Sequence, residues 1–342
     1  MSHAPNIEQK PKWKRRLLRI LLWLVGVVAV VLALLFYLLY APAPSEPELS
    51  VRPHRGTIRV GQLERTYLLY ASARQAAPAP LLVVFHGWMG SPAKVRVETG
   101  YEFDRLADRH GFVVAYPQGH EGGWDDCRAA SDSAARLGID DVGFVEALVA
   151  RLTQERNIDP ARVFVVGLSN GGQFVFRLAL ERPELLAGAA VFAASLPAPE
   201  NLDCTARGTP PPVMIVNGTR DPINPYRGGN ASIFGFVDLG PVRSAIGSAA
   251  YFAGAGGAGE TAITRISPGD RSDGTWVERS VWQSPGRSEV VLLAVNGGGH
   301  VVPQPVYRPP RLLGRSTTAI NGPVEAWSFF RRQKPSRPPA QE

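Results

Sequence analysis

The sequence predicts an α/β fold built on a mostly parallel central sheet with helices on both faces. Three observations predict it. Short, continuous apolar runs bounded by turn residues recur along the chain and alternate with segments of helical spacing. One such junction runs from Arg162–Val166 through Gly167-Leu168-Ser169-Asn170-Gly171 into Gly172–Leu180, which reads as strand, tight turn and helix. With 342 residues, 45% hydrophobic and 20% charged, the chain is also long enough to bury a large core.

Before that fold comes an apolar run, Leu17 to Tyr40, broken only by Arg19 near its start. About 24 residues at 1.5 Å each reach roughly 36 Å, enough to cross a hydrocarbon core of about 30 Å. The run is apolar on every face, which does not suit a buried core helix. Basic residues including Lys14, Arg15 and Arg16 precede it, and the Pro-rich, acidic stretch Ala41–Glu48 follows. By the positive-inside rule, residues 1–16 form a basic cytoplasmic segment and everything after Tyr40 lies outside, in a periplasmic or extracellular space. The apolar part of a cleaved signal peptide is normally shorter, so residues 17–40 are expected to be an uncleaved, single-pass transmembrane anchor.

Residues 41–55 are expected as a linker, 56–331 as the catalytic domain and 332–342 as a disordered tail. Thr57–Val60 and Arg65–Tyr70 read as paired edge strands. Leu81–Phe85 is apolar throughout, the signature of a strand buried on both faces, and Phe112–Tyr116 is another. Between them Glu102–His110 has a helical pattern. Val142–Arg156 places Val142, Val145, Leu148, Val149 and Leu152 on one helical face. After the Ser169 turn, Ala187–Ala194, Val213–Asn217 and Val290–Val295 read as further buried strands. Gly228–Gly274 interrupts the alternation, and it is expected as an excursion over the sheet with a helix near Val242–Phe252, either shaping a pocket or decorating a connection. A last helix is expected at Pro323–Arg331.

The net charge of +7 is concentrated near the two ends, with no interleaved basic and aromatic stripe between them. That argues against a nucleic-acid partner. The two cysteines, Cys127 and Cys204, have no metal-site spacing; an oxidising compartment would let them pair, and two free buried thiols are the alternative.

A serine hydroxyl becomes a good nucleophile when a turn holds it away from the backbone beside a base, with the next amide as an oxyanion donor. Ser169 sits in such a turn, and Asn170 would supply the amide. Of the six histidines, His300 follows the last buried strand in Asn296-Gly297-Gly298-Gly299-His300, where glycines let an imidazole lean over the sheet edge. Asp221, just beyond the strand ending at Val216, completes the α/β-hydrolase order of serine, acid and histidine. The second oxyanion amide belongs in His86-Gly87-Trp88-Met89-Gly90, with Trp88 the expected donor and Met89 the alternative. His86 then reads as a structural residue of that loop.

Tyr116-Pro117-Gln118-Gly119 with Trp124, Asp140-Asp141-Val142-Gly143-Phe144, the Asp159–Gly172 segment around Ser169, Asn217–Asp221 followed by Pro225-Tyr226-Arg227-Gly228-Gly229, and Gly297–His300 together resemble the polyhydroxybutyrate depolymerase and feruloyl esterase group of exported serine esterases. The resemblance runs from about Thr57 to Trp327. It implies Ser169 as nucleophile, Asp221 as acid and His300 as base, places Tyr226, Gly228 and Gly229 beside the acid loop, and puts Trp124 near the substrate pocket. Where that group often has Trp-Pro after the histidine, this chain has Val301-Val302-Pro303, and the aromatic wall is missing.

The expected function is hydrolysis of a small or oligomeric carboxylic ester through an acyl-enzyme, a chemistry that needs no metal or organic cofactor. The fold also hosts serine peptidases, acyltransferases and catalytically silent binding proteins.

Overall fold

The computed structural model describes residues 12–130, 138–266 and 273–334. The first part of the expected cytoplasmic segment, the end of the excursion before Asp273, and most of the expected tail lie outside the described residues. Two compact units divide the chain, residues 1–41 with 310–312, and residues 42–309 with 313–342. The first contains α1 (Lys12–Leu39), whose apolar side chains are exposed along its length and which is long and apolar enough to cross a membrane.

The second unit is the α/β fold. Its elements are β1 (His54–Val60), β2 (Leu63–Ala71), β3 (Ala79–Phe85), α2 (Pro92–Glu98), α3 (Glu102–His110), β4 (Val113–Pro117), α4 (Asp141–Arg156), β5 (Ile158–Leu168), α5 (Asn170–Glu181), β6 (Gly188–Phe192), β7 (Val213–Gly218), β8 (Gly229–Ile233), β9 (Val237–Val242), α6 (Ala245–Gly256), β10 (Glu260–Ile266), β11 (Trp276–Trp282), β12 (Val290–Asn296) and α7 (Gly322–Phe330). The large sheet has the order β1-β2-β4-β3-β5-β6-β7-β12-β11-β10, and β8 pairs with β9 in a separate hairpin. From β4 to β12 the neighbours are parallel; both flanks are antiparallel.

The period of two along each strand divides the core into two layers. On β3, Leu81, Val83 and Phe85 face a cluster built with α4, α5 and α6, while Leu82 and Val84 face one built with α2, α3 and α7. That is why the central runs are apolar at every position. Helix ends follow the local chemistry as well. Asp140 Oδ1 accepts the Gly143 N–H at 2.7 Å at the start of α4, and Ser244 Oγ accepts the Gly247 N–H at 2.9 Å at the start of α6.

Three differences from the sequence reading stand out. The Gly228–Gly274 stretch is not only an excursion: β10 pairs with β11 at the edge of the main sheet, and β8 and β9 form a hairpin ahead of α6. The expected linker is docked from Glu46 onward. Glu46 Oε1 takes Arg96 Nη2 at 2.6 Å, the Ser50 amide donates to Asp108 Oδ2 at 3.0 Å, and Leu49 and Val51 pack on the core. The short helix α2, right after the expected oxyanion loop, is also new; Ser91 caps it and Pro92 opens it.

Candidate active site

All the expected functional loops leave the carboxyl ends of parallel strands, the edge at which such sheets bind ligands. Ser169 stands between β5 and α5 with φ +55° and ψ −119°, a conformation a side chain rarely adopts. The turn closes tightly because its neighbours are glycines. A Cβ at Gly171 would lie 2.5 Å from the His86 carbonyl oxygen, and one at Gly167 would collide with the Gly171 carbonyl. The Ser169 amide donates to the Phe192 carbonyl at 2.9 Å, which ties the turn to the end of β6.

The acid loop follows β7 and the base loop follows β12, adjacent parallel strands. Arg220 N donates to the Gly298 carbonyl at 2.8 Å and Gly297 N to Thr219 Oγ1 at 2.9 Å, stitching the loops together. Across that seam His300 Nδ1 lies 2.8 Å from Asp221 Oδ2. The other Asp221 oxygen accepts the Ile223 and Asn224 amides, each at 2.8 Å, so the fully buried carboxylate is held in one orientation. With Nδ1–H given to Asp221, the His300 Nε2 is free to accept a proton.

Ser169 and His300 line one cavity of 510 Å³. Trp88 lines it too and Met89 does not, and the Trp88 N–H has no acceptor among the described residues. Asn170 opens α5, where a helix amide has no partner within the helix. Both expected oxyanion amides are therefore available. His86 is fully buried behind this loop: Nε2 accepts the Gly119 N–H at 3.0 Å, which leaves Nδ1 to donate to the Gly87 carbonyl at 2.7 Å. Burial pushes its imidazole down to about 4, so it is neutral near neutrality and serves as a strut.

Trp124 is in the cavity wall but is fully buried; its indole N–H goes to the His86 carbonyl at 2.9 Å and its ring stacks on Phe174. The structure does not bring Tyr226 to the cavity. Its side chain packs, half-buried, against the core cluster, because the chain turns there into the β8–β9 hairpin. Cys127 and Cys204 are bonded to each other.

Sequence reasoning missed two groups. Ile233, Val237 and Leu239 of the hairpin form an apolar wall of the cavity. Asp126 pairs with Arg128, which also lines the cavity, and accepts Asn170 Nδ2 at 2.7 Å. The Asp125-Asp126-Cys127-Arg128 string was visible, but nothing local in it points to Asn170.

A strand-turn-helix serine with a histidine–aspartate pair on neighbouring strand ends defines the class: an α/β hydrolase. Residues 65–250 match the family described as Esterase PHB depolymerase, and the chain belongs to that family. It is 32% identical over 305 residues to NocK of Nocardia uniformis subsp. tsuyamanensis, which carries a provisional esterase designation; the match covers 82% of this chain and 86% of NocK. Over 161 residues it is 30% identical to the bifunctional acetylxylan esterase/xylanase XynS20E of Neocallimastix patriciarum, covering 46% of this chain and 22% of that protein. Among solved structures, the acetyl xylan esterase from Aspergillus awamori shares the fold with a TM-score of 0.55 at 16% identity, over 81% of this chain and 99% of that one. The protein is a carboxylic ester hydrolase.

Proposed function

We propose that this hydrolase works through an acyl-enzyme formed on Ser169, with His300 as base and Asp221 as the carboxylate that orients it. The observation that carries the reading is the 2.8 Å contact from His300 Nδ1 to Asp221 Oδ2, with His300 and Ser169 on one cavity. His300 Nε2 takes the Ser169 proton as Oγ attacks the ester carbonyl. The Asn170 and Trp88 amides receive the oxyanion, each worth on the order of 3 kcal/mol. His300 then protonates the leaving alcohol, and water repeats the sequence to release the acid.

The relatives named as acetylxylan and feruloyl esterases support esters of hydroxyl-bearing compounds, small or oligomeric, as substrates. The N-terminal helix is read as an uncleaved anchor, with the catalytic unit outside the cytoplasm. The basic residues before the helix and the Cys127–Cys204 bond, a feature of oxidising compartments, support that side. Hydrolysis of short p-nitrophenyl esters by the full chain in detergent tests the mechanism. Ser169→Ala is expected to remove it, and an active Ser169→Ala protein would refute the assignment.

A further inference from the structure

The cavity that holds Ser169 and His300 has a further carboxylate in its wall. Glu98, the last residue of α2, is half-buried and lines the same cavity. A side-chain cap fixes the start of α2, and packing fixes its end. It starts directly after the Trp88 loop, where Ser91 Oγ accepts the Lys94 N–H at 3.2 Å. At its other end Gly100 approaches Gln304 so closely that a Cβ would lie 2.6 Å from Oε1, and that oxygen accepts the Val306 and Tyr307 amides at 2.7 and 2.8 Å. The end of α2 is thus pressed onto the segment that follows His300.

Glu98 has no hydrogen-bond or ion-pair partner among the described residues. The nearby Asp104 shows the contrast: it is held by Arg96 and Tyr116, as a structural carboxylate normally is. Burial pushes the Glu98 carboxyl up to about 7, against the opposing pull of positive charge on Lys94 and His300. Tyr307 shares these surroundings, its phenol raised by burial and then by Glu98. Lys94 from α2, His300 and Tyr307 are the groups that act electrostatically with Glu98, and His120, Glu121, Arg128 and Asp238 also line the cavity.

We propose that Glu98 is a positioning residue for the base: a carboxylate in the wall of the cavity that His300 also lines, it steadies the imidazolium that forms when His300 takes the Ser169 proton. The inference rests on the reading of Ser169 and His300 above. As the Oγ–carbon bond forms, the carbonyl electron pair moves to oxygen and the serine proton moves to Nε2. The new positive charge then has Asp221 at Nδ1 and Glu98 in the same cavity wall as its counter-charges. When the carbon–oxygen bond to the leaving group breaks, the same proton passes to the departing oxygen and the charge disappears. Glu98 exchanges no proton with the substrate.

The effect on pH is distinctive, because the base must start neutral and a nearby negative charge favours its protonated form. Removing Glu98 should move the acid limb of activity to lower pH and, at the same time, lower the plateau. A residue that only supported the fold would lower the plateau and leave the midpoint in place. The experiment measures kcat and KM of the full chain in detergent for p-nitrophenyl acetate, across about pH 5 to 9. Glu98→Gln is expected to lower plateau kcat about tenfold with little change in KM, and to move the acid midpoint down by roughly half a pH unit or more. Glu98→Asp should recover part of both, and Lys94→Gln should move the midpoint the opposite way. If Glu98→Gln does not fold, by circular dichroism, the other two variants decide. An unmoved midpoint in the folded variants of an active enzyme overturns the Glu98 role alone. A wild-type protein that hydrolyses no ester overturns the hydrolase mechanism and this role with it.

Discussion

Asn170 donates from Nδ2 to Asp126 Oδ2 at 2.7 Å, and the same carboxylate oxygen takes Arg128 Nη2 at 2.6 Å. Asn170 Oδ1 also accepts the Trp124 N–H at 2.9 Å. The residue after the candidate nucleophile is therefore locked to the loop that walls the cavity. Asn170→Ala keeps the backbone amide and removes the lock. Leaving a buried donor without its acceptor costs about 1–3 kcal/mol. A Tm lower by roughly 5 °C is expected, together with a severalfold loss of kcat. Thermal unfolding and steady-state kinetics check this, and an unchanged Tm would contradict the lock.

Asp221→Asn preserves the shape of the acid loop but cannot hold His300 in the tautomer that leaves Nε2 free. A loss of kcat of about 10³- to 10⁴-fold is expected, with the fold retained. Kinetics of the variant beside its circular dichroism spectrum tests it; a loss below tenfold would place the orienting carboxylate elsewhere.

His86 gives the fold a pH dependence of known sign. Its imidazole is lowered from 6.5 to about 4 by burial, so the unfolded chain takes up the proton first as pH falls. Its contribution is fully present above pH 6.5, declines below it and is lost by about pH 4, a span of about 3 kcal/mol. Urea unfolding at pH 7 and near pH 4.5 should show a steeper loss for the wild type than for His86→Asn. Equal slopes would mean that His86 is not buried neutral.

The bond between Cys127 and Cys204 spans 77 residues and ties the cavity loop to the segment after β6. Closing a loop of that size is worth about 4 kcal/mol in the chain-entropy description. Replacing both cysteines with serine is expected to lower Tm, and to raise KM because Arg128, next to Cys127, lines the cavity. Calorimetry and kinetics of the double variant read the two effects separately.

The parallel centre of the sheet was legible because strands buried on both faces must be apolar at every position, as Leu81–Phe85 and Val290–Val295 are. The turn at Ser169, with Asp221 and His300, was legible because glycine spacing and chain order carry it. Strand β11 was not: Trp276–Trp282 places Glu278 and Arg279 among apolar neighbours, the mixed pattern of a strand near a sheet edge. Strand β10 pairs beyond it, and Ile263 there is exposed, so no apolar run marked it. Tyr226 stood beside the acid loop in sequence, but a turn two residues later sends the chain away into the hairpin. Arg128 and Glu98 reach the cavity, and Asp126 reaches Asn170, through contacts between distant segments, which no local pattern records.

Labelling of the full-length protein with a fluorophosphonate, followed by peptide mass spectrometry, tests the role of Ser169 most directly. A single adduct on Ser169 is predicted, strongly slowed in Asp221→Asn and absent in Ser169→Ala. Folded protein that hydrolyses esters with no adduct at Ser169, or with its adduct on another residue, would contradict the mechanism.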